Sequence, residues 1–130
     1  MTTLIVEDDF VNRLVLQRRL AEYGETHIAV NGDEAVEAVE RMLETGAAYD
    51  LICLDIMLPG MDGQEALEKI RAAEADKGYR VGEGARIVMT TALSDAENVM
   101  SAFRHQADGY LVKPIEAEKL DQKLKELELI

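Results

Sequence analysis

Leu51-Ile52-Cys53-Leu54-Asp55-Ile56-Met57-Leu58-Pro59-Gly60-Met61-Asp62-Gly63 decides the reading of this chain. Its four leading apolar residues, with no polar alternation, describe a strand buried on both faces, and Asp55 stands where that strand gives way to a loop. A charge at the mouth of a buried strand points to chemistry. A second short run, Leu4-Ile5-Val6, ends in Glu7-Asp8-Asp9 and brings two or three further carboxylates to the same edge. Clustered carboxylates repel one another and ask for a cation. Hard Mg2+ takes oxygen ligands, keeps several waters and is held through one or two carboxylates plus a phosphate oxygen. The pattern therefore points toward phosphoryl chemistry.

Outward from that stretch, short runs rich in branched residues alternate with longer segments at helical period. The alternation predicts an α/β fold with a parallel sheet covered by helices on both faces. Five strands are expected, at Thr3-Val6, Thr26-Val30, Leu51-Asp55, Arg86-Thr91 and Gly109-Val112, with the third and fourth apolar enough for central positions. Helices two, three and four have visible starts in Asn31-Gly32-Asp33-Glu34, Asp62-Gly63-Gln64-Glu65 and Ser94-Asp95-Ala96-Glu97, each with a capping side chain three residues before a glutamate. Ala35, Val36, Val39 and Leu43 form one apolar stripe, and Leu120, Leu124 and Leu127 another; both read as core packing. Residues Ala73 to Ala85, with Gly78, Gly82 and Gly84 and no clear period, read as a long surface loop. Gly82-Glu83-Gly84 precedes a strand instead of opening a helix, so it is no phosphate cradle.

A chain of 130 residues fits one domain over 1–130, which buries about two thirds of its unfolded surface. The formal charge of -12 argues against nucleic acid and anionic membrane surfaces, whose binding depends on Lys and Arg. Protein partners suit it better. Cys53, the single cysteine, sits inside an apolar strand and reads as a buried structural thiol. No run approaches the roughly 18 apolar residues of a spanning helix, and Met1-Thr2-Thr3 lacks the regions of a signal peptide. The expectation is a soluble protein of the cytoplasm, with no nucleic acid and no membrane partner. His27 and His105 lack metal-ligand spacing and read as structural or surface residues.

In an open parallel sheet, ligands bind beyond the carboxyl ends of the strands. Those ends carry Glu7 and Asp8 on strand one, Asp55 on strand three, Thr90-Thr91-Ala92 on strand four and Lys113-Pro114 on strand five. Together they offer a carboxylate cluster, a hydroxyl and an ammonium. Three consecutive acidic side chains cannot all enter one site, and Thr90 should point away from Thr91 by strand alternation.

The motifs Leu4-Ile5-Val6-Glu7-Asp8-Asp9, Leu54-Asp55-Ile56-Met57-Leu58-Pro59-Gly60-Met61-Asp62-Gly63, Thr91-Ala92 and Tyr110-Leu111-Val112-Lys113-Pro114 occur in this order. With them the chain resembles the receiver domains of two-component response regulators, in particular the stand-alone, chemotaxis-regulator kind, over essentially its whole length. The resemblance implies a three-layer, doubly wound (βα)5 flavodoxin-like fold with five parallel strands in the order 2-1-3-4-5. It implies that Asp55 is the phosphoacceptor, taking a phosphoryl group from a histidine of a sensor histidine kinase or histidine phosphotransfer protein. Glu7, Asp8 and Asp55, with the Met57 backbone carbonyl, would hold Mg2+, and Asp9 would start helix one. Lys113 would supply positive charge, with a cis bond before Pro114. Thr91 and Tyr110 would form the switch pair, and Met57 and Leu93 would tune the lifetime of the phosphorylated state. Both are apolar, so slow dephosphorylation is expected. The family's target-binding face would be helix four, strand five and helix five, around Ala102, Tyr110 and Leu120, in a monomer or a phosphorylation-dependent dimer.

The physics of the acceptor agrees with that picture, because phosphoryl transfer needs mainly in-line positioning and neutralisation of charge. The chain is then expected to be no enzyme beyond catalysing its own phosphorylation and dephosphorylation. Other readings are a degenerate, phosphorylation-independent binding scaffold, or an isolated receiver fragment of a larger regulator or hybrid kinase. A phosphatase using an aspartyl-phosphate is disfavoured, since Met57 stands where that class resembles Asp-x-Asp.

Overall fold

The structure, a computed structural model, describes residues 1–92, 97, 101 and 106–130. Leu93, the Ser94-Asp95-Ala96 part of the expected fourth cap, Ala102 and His105 lie outside the described residues. Chain order runs β1 (Thr2–Val6), α1 (Phe10–Leu20), a short 3-10 turn (Ala21–Tyr23), β2 (Glu25–Ala29), α2 (Gly32–Glu44), β3 (Leu51–Asp55), α3 (Gly63–Asp76), β4 (Arg86–Thr91), β5 (Gly109–Val112) and a C-terminal helix (Ala117–Glu126). The strands form one parallel sheet in the order β2-β1-β3-β4-β5. This is the doubly wound flavodoxin-like arrangement expected from the sequence, with β3 at its centre and buried at every residue. No described helix is long and apolar enough to cross a membrane.

Strand alternation divides the core into two layers. Leu4, Val6, Ile52, Leu54, Ile87 and Met89 pack with Ala35, Val39 and Leu43 of α2 and Ala66, Leu67 and Ile70 of α3. Ile5, Leu51, Cys53, Val88 and Leu111 face the other way, against Leu16 and Leu20 of α1 and Leu120 and Leu124 of the C-terminal helix. Each fully buried Leu or Ile contributes about 1.5–3 kcal/mol relative to exposure. Arg19 and Tyr23 both donate to Asp121, which ties α1 and the turn after it to the C-terminal helix.

The helix starts follow the capping logic. Asn31 accepts from Glu34 N at 2.8 Å while Glu34 reaches back to Val30 N at 2.9 Å. Asp62 accepts from Glu65 N at 2.8 Å. The 73–85 segment corrects the sequence reading: its first residues, through Asp76, belong to α3. Ala72, Ala73 and Ala75 favour helix, and Glu74, 4% exposed, is held inside by Ala85 N and Arg71, both at 2.7 Å. The helix closes where Gly78, at φ 90°, donates to Ala75 O and Tyr79 N returns to Glu74 O, a Schellman ending that needs a left-handed residue.

Candidate functional site

The sheet register aligns the carboxyl ends of four strands. Val6 pairs with Leu54, Asp55 with Thr90, and Thr91 with Val112, so Glu7, Asp55, Thr91 and Lys113 emerge at one edge. Two backbone bonds extend the alignment past the strands: Glu7 N donates to Ala29 O at 3.0 Å, and Lys113 N to Thr91 O at 2.7 Å. The Lys113-Pro114 peptide bond is cis, as expected.

Asp55 is 3% exposed. Its Oδ1 accepts from Met57 N at 3.0 Å and its Oδ2 from Lys113 Nζ at 2.9 Å. The same ammonium lies 2.7 Å from Glu7 Oε1. That ion pair meets a fully buried Glu7. Burial first, and then the neighbouring Asp55, push the Glu7 carboxyl up to about 7, with Lys113 opposing. Burial works against the charge on Lys113, but its contacts with Glu7 and Asp55 outweigh burial and raise its pKa.

Asp8 sits on the same turn, exposed, and its carboxylate makes no hydrogen bond or ion pair among the described residues. Ligand oxygens of Glu7, Asp8 and Asp55 lie within 4.8 Å of one another. Three carboxylates against one ammonium leave the cluster short of positive charge. An all-oxygen donor set with an open Asp8 side fits a hard divalent cation such as Mg2+. Asp9 takes no part; its carboxylate caps α1 by accepting from Asn12 N at 2.9 Å, as the sequence led one to expect.

Thr91 is buried, with its hydroxyl donating to Ala92 O at 3.0 Å. Tyr110 is 41% exposed on β5, and Met57 is 60% exposed just beyond Asp55. His27 is remote, bonded to Tyr49 OH and Glu25 at the β2 edge of the sheet. A cleft of about 450 Å3 lined by Arg71, Tyr79, Arg86 and Asp108 lies at the amino ends of β4 and β5, away from Glu7, Asp8 and Asp55.

Two contacts escaped the sequence reading. Gly63 opens α3 so close to β3 that a Cβ on it would stand 2.3 Å from Asp55 O. Arg13 reaches back to the turn that carries Glu7 and Asp8. Neither contact has a local pattern, since both depend on how a helix start packs on a strand end.

The family model described as response regulator receiver domain matches residues 3–125. The sensor protein GacS of Pseudomonas syringae pv. syringae is 38% identical over 120 residues, which is 92% of this chain and 12% of GacS. The chemotaxis protein CheY of Halobacterium salinarum is 35% identical over 87% of this chain and 84% of CheY. Among solved structures, the receiver domain of the sensor histidine kinase PA1611 from Pseudomonas aeruginosa PAO1, with a magnesium ion coordinated in its active site cleft, superposes with a TM-score of 0.78. It is 28% identical, over 96% of this chain and 94% of that one.

Proposed function

The chain belongs to the response regulator receiver domains, and from that premise we propose that Asp55 is the residue on which it accepts its phosphoryl group. Receiver domains are signalling domains of two-component systems rather than conventional enzymes. The observation that carries the assignment is the buried Asp55 carboxylate held by Lys113 Nζ at 2.9 Å beside Glu7, at the carboxyl edge of the sheet. In the transfer, an Asp55 oxygen bonds to phosphorus while the P–N bond to the donor imidazole breaks and its electron pair stays on that nitrogen. Lys113 moves from pairing carboxylates to pairing a phosphoryl oxygen. The Thr91 hydroxyl exchanges its bond to Ala92 O for one to the same group, and Tyr110 turns inward into the space that this vacates.

Glu7, Asp8 and Asp55, with the Met57 carbonyl, are the residues that would hold Mg2+. When bound, that ion neutralises charge on the phosphoryl oxygens. The chain catalyses phosphorylation and dephosphorylation on itself alone, and residues 1–130 act as one receiver unit in the cytoplasm. The donor is a histidine kinase or histidine phosphotransfer protein. The target meets the face of β5 and the C-terminal helix around the exposed Tyr110, together with the sequence after β4, whereas Leu120, expected on that face, is 1% exposed and packs in the core; the chain is a monomer or a phosphorylation-dependent dimer. Replacing Tyr110 with alanine weakens target affinity in the phosphorylated state; unchanged affinity removes this face. Met57, and Leu93 by its sequence position, bring no general base to the hydrolytic water, so the adduct persists.

Intact mass after incubation with acetyl phosphate and Mg2+ tests the assignment. One phosphoryl adduct is expected, absent without Mg2+ and absent in Asp55→Ala. An adduct retained by Asp55→Ala overturns the acceptor, and an adduct lost within seconds overturns the slow hydrolysis.

A further inference from the structure

We infer that Arg13 is a positioning residue for the cation site, a role that rests on the reading of Glu7, Asp8 and Asp55 given above. Asp8 is the open member of the carboxylate set, and its side chain has no partner among the described residues to orient it. Its direction is therefore set by the backbone of the turn between β1 and α1. That turn is braced from one side by Arg13. The guanidinium Nη1 donates to Glu7 O at 3.2 Å and makes a longer contact of 3.5 Å to Asp8 O. Its carbon rests 5.5 Å from the centroid of the Phe10 ring, within the range of a cation–π contact. Arg13 N also donates to Asp9 O in the first turn of α1, so side chain and backbone of one residue hold three successive carbonyls. Groups that hold metal ligands in place in this indirect way are worth about 10- to 100-fold in metal affinity where they have been removed.

A second effect of Arg13 has the opposite sign. Its positive charge, close to the carboxylates, disfavours a cation by Coulomb repulsion, weakened by solvent at an open site. The brace and the repulsion thus make contrary predictions for the same substitution. The contacts to the Glu7 and Asp8 carbonyls favour the brace, because they fix two donors that a divalent ion needs together.

The experiment is Mg2+ titration by calorimetry of the wild type, Arg13→Ala and Arg13→Gln, with thermal melts in EDTA alongside. Arg13→Ala is expected to bind Mg2+ on the order of tenfold more weakly. Arg13→Gln, which retains an amide donor without the charge, is expected to fall between it and the wild type. Uptake of phosphoryl from acetyl phosphate then needs more Mg2+ for its half-maximal rate in Arg13→Ala, while the rate at saturating Mg2+ stays near the wild-type value. A merely structural role lowers the melting temperature without moving that Mg2+ dependence, and such a result overturns the inference. So does equal or tighter Mg2+ binding by both variants. Should Arg13→Ala fail to fold, Arg13→Gln against the wild type gives the same decision. A wild type that binds no Mg2+ removes the cation-site reading itself, and the inference with it, whereas a wild type that binds and a variant that matches it remove only the role of Arg13.

Discussion

Glu7 carries an uncommon burden for a glutamate: it is fully buried beside the Asp55 carboxylate, and its carboxyl is pushed from 4.5 up to about 7 despite the Lys113 ammonium. Folded protein therefore holds this proton more tightly than the unfolded chain. The resulting stability is fully present below pH 4.5 and is lost as pH rises through about 7. Without metal, the melting temperature of the wild type should fall from pH 5 to pH 8 relative to Glu7→Gln, which lacks the titration. Parallel curves for the two proteins would contradict the burial argument. With metal the sign inverts, because a cation binds the ionised carboxylate and displaces the proton, so Mg2+ affinity should rise across the same window. Cys53 shows the same burial effect on an inert group: its thiol is pushed up to about 12 by burial alone, within a fully apolar setting.

At the scale of elements, the tightest constraint on the acceptor comes from α3. Asp62 caps the helix, and Gly63 N donates to Ile56 O at 2.8 Å, which folds the loop after β3 back onto the strand end. A Cβ at residue 63 would meet Asp55 O at 2.3 Å and Ile56 Cα at 2.7 Å, both backbone atoms that cannot turn aside. Gly63→Ala should cost about 1–3 kcal/mol in urea unfolding, and it should slow phosphoryl uptake by displacing Asp55. A variant with wild-type stability and uptake would show that the contact yields without consequence. The same helix marks the limit of what the sequence made legible. Its start was visible in the Asp62 cap, because a cap is a local pattern, while the buried positions Ala66, Leu67 and Ile70 emerge from the structure. Its last turn was read as loop, because what holds Glu74 is Arg71 together with Ala85 N, which comes from beyond the helix. β2 likewise begins and ends one residue earlier than expected, as an edge strand with weak alternation.

At the scale of the molecule, a parallel sheet in the order β2-β1-β3-β4-β5 does one thing for function: it brings the ends of β1, β3, β4 and β5 to a common edge. Asp55, Glu7 and Lys113 were legible as a site because each is a charged residue ending an apolar run, and strand ends converge in this architecture. The structure brings these three into contact, with Asp8 beside them. What the sequence withheld is how the two site carboxylates at the end of β1 differ: full burial for Glu7 and exposure for Asp8 follow from the turn's three-dimensional path. The central claim, that this edge exists to place a phosphoryl group on Asp55, is tested most directly by chemical marking of the acceptor. Borohydride reduces an aspartyl phosphate to homoserine, so protein loaded from acetyl phosphate in Mg2+, reduced and digested, reports the site by peptide sequencing. Homoserine at position 55 alone is the predicted result; homoserine at position 8 or 9, or at none, would contradict the account.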